Sequence, residues 1–114
     1  MRDKRTQRRP NSPHRVNVLS ASNDAVLGRL VNITTGGLMF LSSEAFDHGT
    51  DLNMRVPLPT MANGNTAIEL KGVVVWCASD HNPKFNRVGI QFCNLGAEEG
   101  YIIETVLQRL HLVG

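Results

Sequence analysis

The sequence is poor in cysteine and lacks any long apolar run, and each absence excludes a class of protein. Cys77 and Cys93 are its only cysteines, too few for a disulfide framework or a four-cysteine zinc site. Both lie in apolar, strand-like segments, where a thiol behaves as a small hydrophobe. No apolar run approaches the ~18 residues that a membrane helix requires, and no apolar stretch follows the basic N-terminus as in a secretory signal. The sequence therefore predicts a cytoplasmic protein without membrane insertion.

Motifs typical of enzymes and metal sites are also lacking. The four histidines include no pair spaced by three or four residues, as a helical metal site would need. Gly37 is followed by Leu38 and not by the lysine of a phosphate-binding loop. No serine, threonine or cysteine has a catalytic partner nearby in the sequence, although triads are assembled in space. We therefore expect no catalytic residue, no metal and no cofactor.

The chain does contain enough apolar material for one domain with a core, since it has 114 residues and is 41% hydrophobic. Its charge is unevenly distributed, although the net charge is only +2. Residues 1–15 hold six basic side chains and one acidic, which gives +5, whereas the other 99 residues hold six basic and nine acidic, which gives −3. A basic segment on a mildly acidic body suggests an arm that meets an anion.

The chain divides into residues 1–14, predicted to be a flexible basic N-terminal arm, and residues 15–114, predicted to be the folded domain. The arm contains two prolines and no aliphatic residue beyond Met1, so it cannot bury a face. From Arg15 onward, apolar and polar residues alternate with the period of a strand. The predicted strands cover residues 15–20, 25–33, 37–42, 52–59, 67–78 and 87–95.

Turn and breaker residues refine these strands. Asn63-Gly64 predicts a tight hairpin, whereas Pro57 and Pro59 predict an edge strand or a strand end. The last segment, residues 96–112, has helical periodicity, with an apolar face formed by Ile103, Val106, Leu107 and Leu110. Six strands followed by one helix predict a mainly β protein, a small barrel or sandwich with the helix over one opening or on its side.

Two features are left that a core does not require: the arginines of the arm and the NITTGG segment at residues 32–37. Arginine presents a planar fork of donors, which can grip a phosphate or the O6/N7 edge of guanine. Without a ligand, the arginines would be only a solvated basic tail, and NITTGG would be only a glycine turn between two strands.

Together these features resemble the PilZ domain, a bacterial receptor module for cyclic di-GMP. The signature of that family is RxxxR in an N-terminal arm, followed by [D/N]xSxxG on the barrel. Arg5 and Arg9 give the first motif, and NITTGG gives the second, with Thr34 in place of serine. The stretches GLMFL, VVVWCA and NRVGIQF and the C-terminal helix are also similar to the family, so the resemblance covers nearly the whole chain. It implies a six-stranded antiparallel PilZ-type β-barrel with a C-terminal α-helix.

The resemblance also implies a ligand site. The amide of Asn32 and the hydroxyl of Thr34 would hydrogen-bond a guanine edge, and the glycines would let the backbone approach the ligand. The arginines of the arm would close over the phosphates and the Hoogsteen edges. The residues assigned to cyclic di-GMP are Arg5, Arg8, Arg9, Asn32, Thr34, Gly36 and Gly37, with Arg15, Trp76 and Arg87 as further candidates. Trp76 has the alternative of being a core residue.

The RxxxR motif can be assigned to this sequence in two ways. In many relatives the second arginine stands directly before the first strand, which here is Arg15, but Asn11 lies four residues upstream of it. The required spacing falls instead on Arg5 and Arg9. Lys4, directly before Arg5, favours an intercalated pair of ligand molecules over a single one.

The function predicted by the resemblance is a cyclic di-GMP receptor that signals to an unidentified protein effector by ordering of its arm. One alternative is a PilZ-like protein interaction module that does not bind the nucleotide, for example in pilus assembly. A nucleic-acid binder that uses the basic arm is less favoured, because one Trp, one Tyr and four Phe offer few platforms for stacking bases.

Overall fold

The computed structural model describes residues 15–110. The predicted arm at residues 1–14, with Arg5, Arg8 and Arg9, lies outside the described residues, as do residues 111–114. The described residues comprise the predicted barrel and its helix.

The described chain folds into six strands, one α-helix and one short 3-10 helix. The strands form a closed antiparallel barrel in the order β1-β2-β3-β6-β5-β4. This confirms the predicted fold class. In chain order the elements are β1 Asn17–Ser20, β2 Val26–Ile33, β3 Gly37–Ser42, β4 Asp51–Ala62, β5 Asn65–Ser79, β6 Asn86–Phe92, α1 Ala97–Thr105 and a 3-10 turn Leu107–Arg109.

Alternation along the strands builds the core. In β3, Leu38, Phe40 and Ser42 are buried, whereas the residues between them are half-buried on the outer face. The ring of Phe40 is fully buried and meets Phe46 edge to face, with ring centroids 5.5 Å apart. Because successive side chains point to opposite faces of a strand, the outer face of the barrel is left to more polar residues.

The hairpin of β4 and β5 is longer than the sequence predicts. Asn63 and Gly64 form its turn with φ of 51° and 78°, the left-handed pair that a two-residue hairpin favours. Strand β1 pairs with β4 only at Arg55 and Met54. Pro57 therefore lies in a part of β4 that pairs with β5 alone. Because no strand lies on its other side there, proline's missing N–H costs no hydrogen bond on that side.

The C-terminal helix joins the barrel core. Ile102, Ile103 and Leu107 have no exposed surface and belong to the same buried cluster as the barrel interior. The α-helix ends at Thr105 and is followed by the 3-10 turn, so it is shorter than the single helix predicted for residues 96–112. Among residues 15–110, no helix has the length and apolarity needed to cross a membrane.

Candidate functional site

The NITTGG segment borders a shallow depression of about 390 Å³ on the outside of the barrel, where β2, β3, β5 and β6 lie side by side. Four of the predicted ligand residues line it together with Trp76. The full lining is Asn32, Thr34, Gly36, Gly37, Leu38, Met39, Val75, Trp76, Gly89, Ile90 and Gln91.

Two β-bulges aim side chains into the depression. Leu30 and Val74 point into the core with no exposed surface, so strict alternation would also turn Asn32 and Trp76 inward. The register shifts between Leu30 and Asn32 in β2, and again between Val74 and Trp76 in β5. An extra residue in one strand of a pair reverses the facing of the residues after it. Both Asn32 and Trp76 consequently lie on the outer face.

The hydroxyl of Thr34 shapes the turn between β2 and β3. The N–H of Gly36 donates to Thr34 Oγ1 over 3.1 Å, and the N–H of Thr34 donates to the carbonyl oxygen of Gly37 over 2.8 Å. The carbonyl of Gly36 accepts from the N–H of Phe92 over 3.0 Å, which ties the turn to the end of β6. Serine would make the same side-chain bond, so threonine preserves the turn and leaves its O–H free to donate to a ligand.

Glycine is required for different reasons at the two positions of the segment. A Cβ on Gly37 would collide with the carbonyl oxygen of Ile90, because β3 and β6 approach closely there. A Cβ on Gly36 would meet only Thr34 Oγ1, at an ordinary 3.7 Å. Gly37 is therefore required by the barrel itself, whereas Gly36 leaves open space above an exposed backbone.

Trp76 is a surface residue and not part of the core. It is 43% exposed and pairs across the sheet with Gly89. A Cβ on Gly89 would collide with the indole ring, so the ring packs directly against the glycine backbone. An indole with this much exposed surface can stack on a planar ligand.

Six lining residues are absent from the sequence prediction: Leu38, Met39, Val75, Gly89, Ile90 and Gln91. Alternation in GLMFLS and in NRVGIQF places Met39 and Gln91 outward, and this signal is readable from the sequence. Which outward residues meet depends on the cross-strand register, and there Gln91 faces Gly37 and Gly89 faces Met39. Gln91 adds an exposed amide on the side of the depression opposite Asn32.

The depression carries no charged side chain among its described lining residues. It offers amide and hydroxyl groups, an exposed backbone and an indole face, which together can hydrogen-bond and stack a heteroaromatic ring. It offers nothing to neutralise a phosphate. A charged ligand would need cations from elsewhere in the chain.

Arg15 and Arg87 lie outside the lining of the depression. Arg15 is exposed and precedes Val16, whose carbonyl accepts from the N–H of Leu30 over 2.7 Å. Continuing that register sets Arg15 opposite Val31, one residue before Asn32. Arg87 lies on β6 two residues before Gly89, opposite Leu41 of β3. Its Nε donates to Asp80 Oδ1 over 2.8 Å.

The ion pair with Arg87 changes the titration of its partner. The hydrogen bond from Arg87 holds the pKa of Asp80 below its ordinary value of 3.8, and backbone N–H groups of the same turn act in the same direction against partial burial. One guanidinium N–H of Arg87 is therefore already bound to the β5–β6 turn. Among residues 15–110, no group of three or more His, Cys, Asp or Glu side chains is arranged to hold a metal ion.

The closed β-barrel and the neutral, partly aromatic depression on its outer face are compatible with a module that binds a planar ligand. The PilZ domain family model matches residues 3–110, so the chain belongs to the PilZ domain family, a family of cyclic di-GMP receptor modules. No curated protein matches the chain. Among solved structures, the fold is similar to the Bacillus subtilis Inhibitor of motility (MotI/DgrA), with a TM-score of 0.65 and 20% sequence identity. That similarity covers 93% of this chain and 52% of the other, so this chain spans about half the length of that protein.

Proposed function

We propose that this chain binds cyclic di-GMP and passes the signal to a protein effector. The observation that carries the proposal is the depression, where two bulges bring Asn32 and Trp76 to one surface beside the Thr34 turn. These groups match a guanine base, which has a planar face to stack and an edge rich in hydrogen-bonding groups.

The base would be held by neutral groups. The amide of Asn32 can both donate and accept hydrogen bonds. The Thr34 oxygen accepts from the N–H of Gly36, so its own O–H is left to donate to the base. The open space above Gly36 lets a ring approach the backbone closely. The exposed indole face of Trp76 supplies stacking at the other side of the depression.

The phosphates would be held by the arginines that precede the barrel. The lining of the depression is neutral among the described residues, yet the ligand carries two phosphates. Arg5 and Arg9, with Arg8 beside them, supply forked donors for phosphate and for the guanine Hoogsteen edge. Arg15 is the alternative, because continuing the β1–β2 register would set it opposite Val31, one residue before Asn32.

Signalling would follow from the closing of residues 1–14 over the ligand. Once its arginines have fixed partners, this segment would present a surface on the barrel that a protein effector reads. The function requires no catalytic residue, no metal and no cofactor, and it would operate in the cytoplasm. The alternative is a PilZ-type interaction module that works without the nucleotide.

Calorimetric titration with cyclic di-GMP tests the proposal. We expect the parent to bind and Asn32→Ala to bind about tenfold or more weakly, because a side chain that reads a base edge contributes ~1–3 kcal/mol. Asn53→Ala is the matched control, since Asn53 is an exposed strand asparagine on β4. Circular dichroism verifies that both variants fold.

Either of two results would contradict it. A parent protein that does not bind cyclic di-GMP would favour the interaction module that lacks the nucleotide. Binding by the parent with unchanged affinity in Asn32→Ala would mean that the NITTGG segment is only a turn and that the ligand lies elsewhere.

A further inference from the structure

The C-terminal 3-10 turn reaches back to the segment that carries Asn32 and Thr34. The side-chain N–H of Gln108 donates to the carbonyl oxygen of Ile33 over 3.3 Å, although 75 positions separate the two residues in the sequence. Leu107, directly before Gln108, is fully buried in the barrel core, and this fixes where the glutamine side chain begins. The contact therefore joins the end of the fold to the middle of NITTGG.

The peptide unit between Ile33 and Thr34 is held from both sides. Its N–H, on Thr34, donates to the carbonyl oxygen of Gly37 over 2.8 Å, and its C=O, on Ile33, accepts from Gln108. In a planar trans peptide these two groups point in opposite directions, so the C=O points away from β3. Thr34 projects from this peptide unit, and its orientation therefore depends on both hydrogen bonds.

Among residues 15–110, no strand pairs with Ile33 on the side away from β3. The ladder between β1 and β2 reaches only Leu30, whose N–H donates to the carbonyl oxygen of Val16. The 3-10 turn takes that side instead, and a crevice of about 150 Å³ lies between it and residues 31–33. Gln108 therefore supplies the hydrogen bond that a neighbouring strand would otherwise give to Ile33.

We propose that Gln108 is a positioning residue for the nucleotide site, which holds the Ile33–Thr34 peptide so that Asn32 and Thr34 face the depression together. The inference deepens the proposed function and rests on it for the identity of the ligand. Asn32 borders both the crevice and the depression, whereas Gln108 borders the crevice alone. Gln108 consequently acts through the turn and does not touch the nucleotide.

Gln108→Met tests the proposal, because methionine has nearly the length of glutamine but no N–H to donate. In the full chain without nucleotide, we expect the Thr34 amide to exchange about threefold to tenfold faster by NMR, since its peptide unit is no longer held on the second side. The Gln108 side chain is exposed, so core amides and the melting temperature should stay as in the parent. By calorimetry, cyclic di-GMP should bind about threefold to tenfold more weakly.

Two further variants provide the rescue and the control. Gln108→Arg restores a donor, because the Nε of arginine lies as many bonds from Cα as the Nε2 of glutamine. Combined with Arg109→Gln, it leaves the net charge unchanged, and this double variant should recover the exchange and the affinity of the parent. Tyr101→Met, the control, places methionine at an exposed, uncharged position of α1 and should behave as the parent does.

Several outcomes would overturn the inference. Unchanged Thr34 exchange in Gln108→Met would mean that the turn does not depend on Gln108, and faster exchange throughout the core strands would make the contact a general structural one. Faster Thr34 exchange with unchanged nucleotide affinity, or no recovery in the double variant, would also overturn it. If the parent does not bind cyclic di-GMP, the proposed function fails, while Thr34 exchange in these variants still decides whether Gln108 holds the turn.

Discussion

Gly36 and Gly37 are adjacent in sequence and identical in chemistry, yet their surroundings give them separate roles. Gly37 allows β3 to approach the backbone of Ile90, whereas Gly36 faces open space at the depression. One substitution should therefore affect folding, and the other should affect only the ligand.

Alanine at each of these positions separates the two roles. Gly36→Ala should change the free energy of unfolding by no more than about 0.5 kcal/mol, as at other open surface positions, but should weaken cyclic di-GMP binding. Gly37→Ala should destabilise the barrel by roughly 1–3 kcal/mol, because the added methyl group overpacks β3 against β6. Urea unfolding and calorimetry measure the two effects. Normal ligand affinity in Gly36→Ala would remove this backbone from the site.

Asp80 and Arg87 provide a residue-scale prediction about pH. The pKa of Asp80 is lowered in the folded protein, chiefly by the hydrogen bond from Arg87, so folding favours the ionised carboxylate. The resulting stability is fully present above the unfolded pKa of 3.8 and is lost as the pH falls through the lower folded pKa.

Asp80→Asn should consequently lower the free energy of unfolding at pH 7, and its difference from the parent should shrink as the pH falls below about 4. Urea unfolding curves at several pH values measure this difference. Asp51→Asn serves as the control, since the described part of the chain offers that exposed carboxylate no ion-pair partner. A difference between parent and Asp80→Asn that is the same at pH 7 and at low pH would contradict the assignment.

At the scale of elements, the C-terminal helix shows how a short amphipathic segment completes a small barrel. Its α-helical part has only nine residues, too few for an isolated helix to be stable in water. Its stability must come from Ile102, Ile103 and Leu107, which are fully buried with the barrel core. Helix and barrel should therefore unfold together.

Leu107→Ala tests this dependence. The removed side chain is fully buried, so the substitution should cost about 2–5 kcal/mol of stability, and thermal unfolding should remain one cooperative transition. Tyr101→Ala is the matched control on the solvent side of the same helix, where the side chain is 56% exposed. A melting temperature of Leu107→Ala equal to that of Tyr101→Ala would show that the helix does not stabilise the barrel.

The strands were predictable from alternation, but the lengths of two elements were not: the β4–β5 hairpin and the C-terminal helix. Polar residues near Asn63 hide the extension of β4 and β5 into a longer hairpin, since neither strand has a clear buried face there. The helix ends earlier than its apolar spacing indicates because the hydrogen bonds after Val106, whose φ is −116°, change to the i→i−3 pattern of a 3-10 turn. The apolar pattern does not encode this break.

The residue types that line the depression could be predicted in part from the sequence, while the way they come together could not. Asn32 and Thr34 follow from the motif, but strict alternation in β2 would bury Asn32, as it would bury Trp76 in β5. Bulges turn both residues outward, and a bulge depends on the pairing of two strands and not on one strand's pattern. For the same reason, Gly89 and Gln91 join the site only through the cross-strand register.

At the scale of the whole molecule, charge and ligand chemistry are divided between two parts of the chain. The barrel offers a neutral depression, whereas residues 1–15 carry +5 from six basic and one acidic side chain. The proposal therefore requires both parts at once, with base recognition by the barrel and phosphate recognition by the arginines. Because the second set of contacts is charged, affinity should fall as the salt concentration rises.

The division predicts which arginines matter. Arg5→Ala and Arg9→Ala should each weaken cyclic di-GMP binding strongly, while Arg2→Ala, outside the RxxxR spacing, should change it little. Calorimetry at low and high salt measures both the loss and its ionic component. If Arg15→Ala is the damaging change and Arg5→Ala has no effect, the second register of the motif is the correct one, and the receptor function stands.

The same contacts should change the exchange of amide protons in residues 4–15. The composition of this segment offers no apolar face to bury, so we expect fast exchange without ligand. With cyclic di-GMP, the arginines gain fixed partners and exchange should slow, while amides of the core strands stay protected in both samples. NMR of the full chain with and without ligand is the direct measurement, and Arg2→Ala is its matched control. Equally fast exchange in residues 4–15 in both samples would contradict signalling by ordering of the arm, even if calorimetry shows that the nucleotide binds.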